Sequence, residues 1–248
     1  MTTLEPSPPL LELRQYLLRE GRLEDLLDVF ETSLVEPQEE CGMRVVGQFR
    51  DVDHPRRFVW LRGFADPAAR AEALAAFYGG PVWARHADRA NATMVTFDDV
   101  LQLRRHPGGP ALQIRPAALR DEPVGPGAAV VVLAHRRTGR QGVPDDRVLG
   151  ALERLSAEAG LTLRSVLETD PAPNGFPRLP VRRANCLVWV ATGPSTDVLD
   201  PAAESLVGVR ADLAAHCAAH DLDEVPLHLR RLVPTARSTL VHEDDVEA

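Results

Sequence analysis

From Met43 to Phe64 the chain carries two runs of alternating residues joined by a short polar stretch. Val45, Gly47 and Phe49 alternate with Val46, Gln48 and Arg50; Val59 and Leu61 alternate with Phe58, Trp60 and Arg62. This period of two, with Asp51 to Arg57 as the connection, predicts a hairpin. Upstream, Leu10 to Leu18 alternates in the same way, with Leu11 and Leu13 opposed to Glu12, Arg14 and Tyr16, and Gly21 ends that strand. From Arg22 the period changes. Leu23, Leu26, Leu27, Phe30 and Leu34 form the one-sided stripe of a helix, which Pro37 kinks or closes and Gly42 caps. After the hairpin, Asp66-Pro67 marks a helix start, an Ala-rich helix runs to Tyr78, and Gly79-Gly80-Pro81 breaks it. A second helical piece, Val82 to Asn91, and a strand, Val100 to Arg104, complete the order strand, helix, strand, strand, helix, strand, which is the ferredoxin-like unit.

That order returns downstream. Ala129 to Ala134, Leu161 to Glu168, Asn185 to Ala191 and Val225 to Leu232 read as strands, with helices at Asp145 to Ala159 and from Asp200-Pro201 to about His220. Pro171 to Pro180 holds too many prolines for a central strand. Letters repeat with the order: Asp66-Pro67-Ala68-Ala69 returns as Asp200-Pro201-Ala202-Ala203, Leu101 to Arg105 as Leu227 to Arg231, and Phe58-Val59-Trp60 as Leu187-Val188-Trp189. The expected organisation is an α+β fold of tandem ferredoxin-like units forming a barrel of antiparallel sheets with helices outside. A disordered tail occupies 1–9, the units occupy 10–105 and 128–240, a Pro/Gly-rich linker spans 106–127, and an acidic tail spans 241–248.

Composition narrows the partners. A body of 248 residues buries about 70% of its unfolded surface and has a real core. The net charge of −8 argues against nucleic acid or an anionic membrane as partner. No apolar run nears the ~18 residues of a membrane span, and the start lacks a secretory pattern, so a cytoplasmic protein is expected. All 28 basic residues are Arg, which removes Schiff-base chemistry. Cys41, Cys186 and Cys217 have neither disulfide nor metal-ligand spacing and read as buried thiols.

The first unit resembles the NIPSNAP family, through Glu12-Leu13-Arg14-Gln15-Tyr16 followed by Gly21, the hairpin with Gly47-Gln48-Phe49 and Phe58 to Arg62, and the Trp83 to Met94 segment. The resemblance covers Leu10 to Arg105, and it implies a dimeric α/β-barrel fold without supplying a catalytic motif. Related barrels hold cofactor-free oxygenases, cyclases, isomerases and some haem proteins, an analogy of fold alone. The expected function is therefore a NIPSNAP-like barrel that binds a small organic molecule, acting as a cofactor-free tailoring enzyme on an enolisable or aromatic metabolite. The alternative is a non-enzymatic binding or interaction protein whose barrel serves assembly, and a homodimer is left open.

Side-chain alternation supplies the candidates. If Leu11, Leu13, Val45, Phe49, Val59, Leu61, Leu101 and Leu103 pack under the helices, the opposite face enters the barrel. Arg14, Gln48, Trp60, Arg62 and Gln102, with Trp189 and Arg230 from the second unit, then line a ligand cavity. Arg14 and Arg62 would grip a carboxylate, enolate or phenolate, or pair with Glu12 and Glu168 instead. His86, His228 and Tyr16 are the proton-transfer candidates. Haem would need an axial ligand, for which His86 is the candidate. No metal cluster, nucleophile elbow or phosphate loop is present. Asp66 to Leu101 is eight residues longer than Asp200 to Leu227, and the surplus falls at Gly79 to His86, expected to lie over the barrel mouth beside Arg14 and Arg62.

Overall fold

The computed structural model describes residues 4–123, 129–136, 145–223 and 226–240. The expected acidic tail at 241–248 lies outside them, as do residues 1–3, 124–128 and the first residue of the expected last strand. In chain order the strands are β1 (Glu5–Pro6), β2 (Leu10–Leu18), β3 (Arg44–Asp51), β4 (Arg57–Phe64), β5 (Met94–Arg105), β6 (Gln113–Ile114), β7 (Ala129–Arg136), β8 (Thr162–Thr169), β9 (Cys186–Gly193) and β10 (Leu227–Pro234). The helices are α1 (Leu23–Ser33), α2 (Val35–Glu40), α3 (Pro67–Gly79), α4 (Pro81–Ala92), α5 (Asp145–Glu158) and α6 (Leu199–His220).

Local chemistry sets these boundaries. Leu26, Leu27, Val29 and Phe30 are buried on one side of α1, and Glu24 and Asp25 complement its N-terminal dipole. The expected helix through Leu34 is broken there, and Pro37 sits inside the short α2. Gly42 takes φ +92° after it, a conformation that costs an L side chain. Asp66 caps α3 by accepting from the Ala69 amide at 2.8 Å, with Pro67 in the first turn. In the second unit the cap moves upstream of the expected Asp200: Ser195 caps a short turn at Thr196–Val198, and α6 starts at Leu199.

Eight strands close into one barrel in the order β10-β3-β4-β2-β5-β8-β9-β7. Within each half the order is second, third, first, fourth strand, the ferredoxin-like arrangement, and every pairing is antiparallel. The two seams between halves are short: Leu103–Arg105 of β5 on β8, and Leu232–Pro234 of β10 on β3.

The faces are the reverse of the expected ones. Leu11, Leu13, Val59, Leu61, Leu101 and Leu103 pack with Val188, Val190 and Leu232 from the other half and with no helix residue, so the leucines fill the bore. Phe49 joins them, and Gly47 is obligatory beside it, because a Cβ there would lie 2.5 Å from the Phe49 ring. Val45 alone of the expected set lies under the helices; Val46 slips inward where β3 loses register against β4. Trp60 packs with Phe30 and Leu26 of α1 on the outer face, and Trp189 packs with Leu152 and Leu206 of α5 and α6. An eight-stranded bore is only just wide enough to be filled by side chains, and branched aliphatics fill it best. Bulky indoles and a network of arginines need the roomier layer between sheet and helices.

The expected frayed start and linker are also ordered where described. Glu5–Pro6 pairs with Gln113–Ile114, and Leu112, Ile114 and Leu240 join the bore cluster. Among the described residues no helix is long and apolar enough to cross a membrane.

Because Leu61 is 1% exposed in the filled bore, Leu61→Ala leaves a cavity there. A loss of about 2–5 kcal/mol in urea denaturation is expected. A change under 1 kcal/mol would mean that the bore is open rather than packed.

Candidate functional site

The outer face of β2 presents Glu12, Arg14 and Tyr16 at alternate positions, opposite Arg62, Trp60 and Phe58 on β4. Glu12, Arg14 and Arg62 are wholly buried, and Arg70 joins them from α3 at 1% exposure. Glu12 is the hub. Its Oε2 accepts from Arg14 Nη1 at 2.8 Å and from Arg62 Nε at 2.8 Å, with Arg62 Nη2 at 2.7 Å; its Oε1 accepts from Arg70 Nε at 2.6 Å. Burial alone would raise the Glu12 ionisation, but Arg62, Arg14 and Arg70 outweigh it and hold the carboxyl far below the usual carboxylate range.

One carboxylate against three guanidiniums leaves two positive charges uncompensated within the cluster. Aromatic faces take up part of this excess: the Arg62 guanidinium lies 5.2 Å from the Trp60 ring centre and 5.8 Å from that of Tyr78, and Arg14 lies 5.5 Å from Tyr16. The remaining Arg62 and Arg70 donors reach Gln38, Tyr78 and Asn174, at 3.3, 3.3 and 3.0 Å. Arg14 is different. Its Nε donates to the Tyr16 hydroxyl at 3.0 Å and its Nη1 to Glu12, but its buried Nη2 has no partner among the described residues.

Arg14 stands in the wall of a cavity of about 150 Å³, formed where α4 and the 171–180 loop pass over this face of the sheet. Tyr16, Tyr78, Trp83, Met94 and Phe97 line it from the first unit; Phe176, Arg178 and Leu179 come from the second. The loop is tied down by Asn174, whose Oδ1 accepts from Arg70 and from the Phe176 amide and whose Nδ2 donates to the Leu179 carbonyl. The tyrosine oxygens accept from Arg14 and Arg62, which leaves both phenolic protons free to be given to a ligand. Burial pushes the Tyr16 ionisation up, against the lowering influence of Arg14, so Tyr16 is a donor at neutral pH.

Of the residues singled out from sequence, the fold gathers Arg14, Tyr16, Trp60 and Arg62 here, on the helix side of the sheet. Gln48 is buried next to Trp60 across β3 and β4. Gln102 lines a different pocket, and Trp189 borders a third one, of about 200 Å³, in the second unit. Arg230 is in the bore, donating to Gln15 at 2.9 Å, and His228 is exposed on β10. His86 is half-exposed on α4 and does not line the cavity. Glu168 pairs with Arg104 at 2.8 Å, not with Arg14 or Arg62. Tyr78, Arg70 and the loop residues were not legible as site residues: they arrive from elements whose approach depends on which sheet face is outside. The broken helix does stand beside Arg14, but over the sheet's outer face instead of the barrel mouth.

Comparison with known proteins agrees with the fold. Residues 11–99 match the NIPSNAP family model. The match covers the unit that holds the charged cluster and stops before the second. No curated protein matches the chain. Two solved structures share the fold along nearly the whole chain, each named "putative monooxygenase". The one from Lactobacillus acidophilus is 10% identical over 96% of this chain and 100% of its own, TM-score 0.51. That from Fusobacterium nucleatum is 8% identical over 95% and 98%, TM-score 0.54. A NIPSNAP family protein of Agrobacterium tumefaciens is 21% identical over 41% of this chain and 93% of its own, TM-score 0.36.

Glu12→Gln removes the one negative charge among three buried guanidiniums. A loss of about 3–5 kcal/mol in urea denaturation at pH 7 is expected. The folded Glu12 ionisation is depressed, so its contribution is complete above the unfolded value of about 4.3 and is lost as pH falls below it. The acid-side slope of stability should accordingly be shallower in Glu12→Gln than in the parent. Equal slopes between pH 5 and 2 would contradict the ion-pair assignment.

Proposed function

We propose that the NIPSNAP-like unit binds a small organic anion, the carboxylate, phenolate or enolate of a monocyclic aromatic or enolisable metabolite, and that the protein is a tailoring enzyme of the oxygenase, cyclase or isomerase type working on that anion. The carrying observation is the unpartnered Nη2 of buried Arg14 in the wall of an aromatic cavity, backed by two excess positive charges. An anion accepting from Arg14, Tyr16 and Tyr78 would satisfy the open donors, and charge-assisted bonds of this kind are about twice as strong as neutral ones. A cavity of about 150 Å³ suits a single ring, on the scale of the dry cavity that admits benzene.

Among the described residues the lining has no His, Asp or Glu, and Glu12 is committed to three arginines. The ligand must therefore be acidic enough to arrive ionised. The site's contribution is then to hold negative charge on oxygen with preorganised donors, as an oxyanion hole does, with Tyr16 placed to give its proton to the product and to regain one from solvent when the product leaves. Haem does not fit this cavity, which is far below the ~300–1,000 Å³ of larger-ligand sites and is bordered by no histidine among the described residues. The same lack of a base supports the alternative of a binding protein that does no chemistry, and turnover separates the two.

The test is titration calorimetry of the full chain with benzoate, salicylate and a cyclic 1,3-diketone at pH 7.5. At least one should bind, and Arg14→Met should weaken it at least tenfold, with Tyr16→Phe losing about 3- to 10-fold, the value of one hydrogen bond. Binding unchanged in Arg14→Met, or absent for every compound, would remove this reading.

A further inference from the structure

On the same sheet face, on the other side of the Asn174 anchor, lies a pocket of about 740 Å³ between β5 and the 170–185 segment. Its presence follows from how the strands part. β8 ends at Thr169, opposite Leu103, and the segment between β8 and β9 touches β5 at two further points. The Asp170 amide donates to the Gln102 carbonyl, and the Arg182 amide to the Val100 carbonyl, both at 2.8 Å. Between these ties the segment arches outward. Its arch is fixed by Asp170 Oδ1 on the Ala172 amide at 2.8 Å, by Asn174 on the Leu179 carbonyl at 2.7 Å and by the Arg182–Asp99 pair at 2.6 Å. Pro171, Pro173, Pro177 and Pro180 further restrict it. The space beneath is open to solvent on one side and bounded by walls that already hold their shape.

Gln102 lines this pocket at 3% exposure. Both ends of its side-chain amide, Oε1 and Nε2, are buried and have no partner among the described residues. Nearly all buried amides are paired; Gln48 shares this open state, but of the two it is Gln102 that lines this pocket. Its donor and acceptor lie side by side in one plane, so the complementary partner also carries an adjacent acceptor and donor. That is the edge of a primary amide, lactam or imide. Thr169, Asn174 and Asn185 add neutral polar groups to the lining; of its charged members, Asp170 is engaged by the Ala172 amide, Arg182 is paired with Asp99, and Arg183 is exposed.

We propose that this pocket is a second ligand site, separate from the Arg14 cavity, which takes a planar amide, lactam or imide edge read by the side-chain amide of Gln102. The site lies where the two halves of the chain meet, since β5 supplies the reader and the second half supplies the arch.

Saturation-transfer NMR and thermal melts on the full chain with nicotinamide and uracil test it, with benzoate as the reporter of the other cavity. The parent should bind nicotinamide or uracil, Gln102→Met should weaken that binding at least tenfold, and Arg14→Met should leave it within twofold. Gln102→Glu, which keeps the shape but loses the amide donor, serves if the methionine variant does not fold, and should show the same loss. Failure of both probes to bind the parent would mean that Gln102 is served by solvent alone and overturns the proposal, as would unchanged binding in the Gln102 variants. Loss of nicotinamide or uracil binding in Arg14→Met would overturn the separateness of the two sites. Benzoate binding in these samples stands or falls independently, so a failed second site is distinguishable from a failed Arg14 site.

Discussion

A single buried carboxylate organises the first half of this molecule. Glu12 is fully desolvated and survives ionised because three guanidiniums converge on it from β2, β4 and α3. Each arginine in turn fixes something else: Arg62 holds Tyr78 and Gln38, Arg70 holds Asn174 of the arching loop, and Arg14 holds Tyr16. Helix placement, loop placement and the open donor in the cavity thus share one anchor. Replacing such a network with apolar residues of similar volume is often neutral or stabilising, so net stability alone does not account for its presence, and the proposed anion site would give the surplus positive charge a use.

The second half shows the apolar version of the same sheet. Arg14 faces Trp60 across β2 and β4, and the matching pair across β7 and β9 is Leu133 with Trp189; Glu12 faces Arg62, and the matching pair is Val131 with Ala191. The strand order is the same, and the charges are gone. What differs in helices follows suit, since the single 22-residue α6 stands where the first half has α3, a break at Gly80 and α4. That break turns Trp83 and Asn91 toward the cavity, so the surplus residues in the first half build a wall of the site.

Element order, the capping of α3 by Asp66, the left-handed glycines and the ferredoxin-like arrangement were legible because each rests on local periodicity or a single residue's backbone preference. The side of the sheet was not. Alternation separates two faces, but both faces of this barrel are buried, one by the opposite wall and one by helices, so the polar face has no obligation to be the wet one. Two cues favour the arrangement found. Trp60 and Trp189 are too large for an eight-stranded bore whose other occupants are Leu and Val, and the stripe of Leu26, Leu27 and Phe30 on α1 needs a broad aromatic surface, which Trp60 gives with ring centres 4.8 Å apart from Phe30. Tyr78 and Phe176 lie on elements whose approach to Arg14 is long-range, and no spacing in the sequence encodes it.

Joining two such units in one chain changes what a site can become. The cavity at Arg14 is closed by Phe176 and Leu179, and the pocket at Gln102 is arched over by the same segment, so both depend on a loop that belongs to the other half. In an assembly of identical units, any loop suited to closing one site would have to close its twin as well. Here the segment from Asp170 to Asn185 can be shaped for the first half alone, while the corresponding connection in the first half, the tight turn at Asp51 to Arg57, stays short and is held by the Asp51 carboxylate on the Asp53 and His54 amides. The prolines of the arch and its Asn174 tie to Arg70 fit that division: one half supplies the charge, and the other supplies a preformed cover whose position is set by the same buried carboxylate.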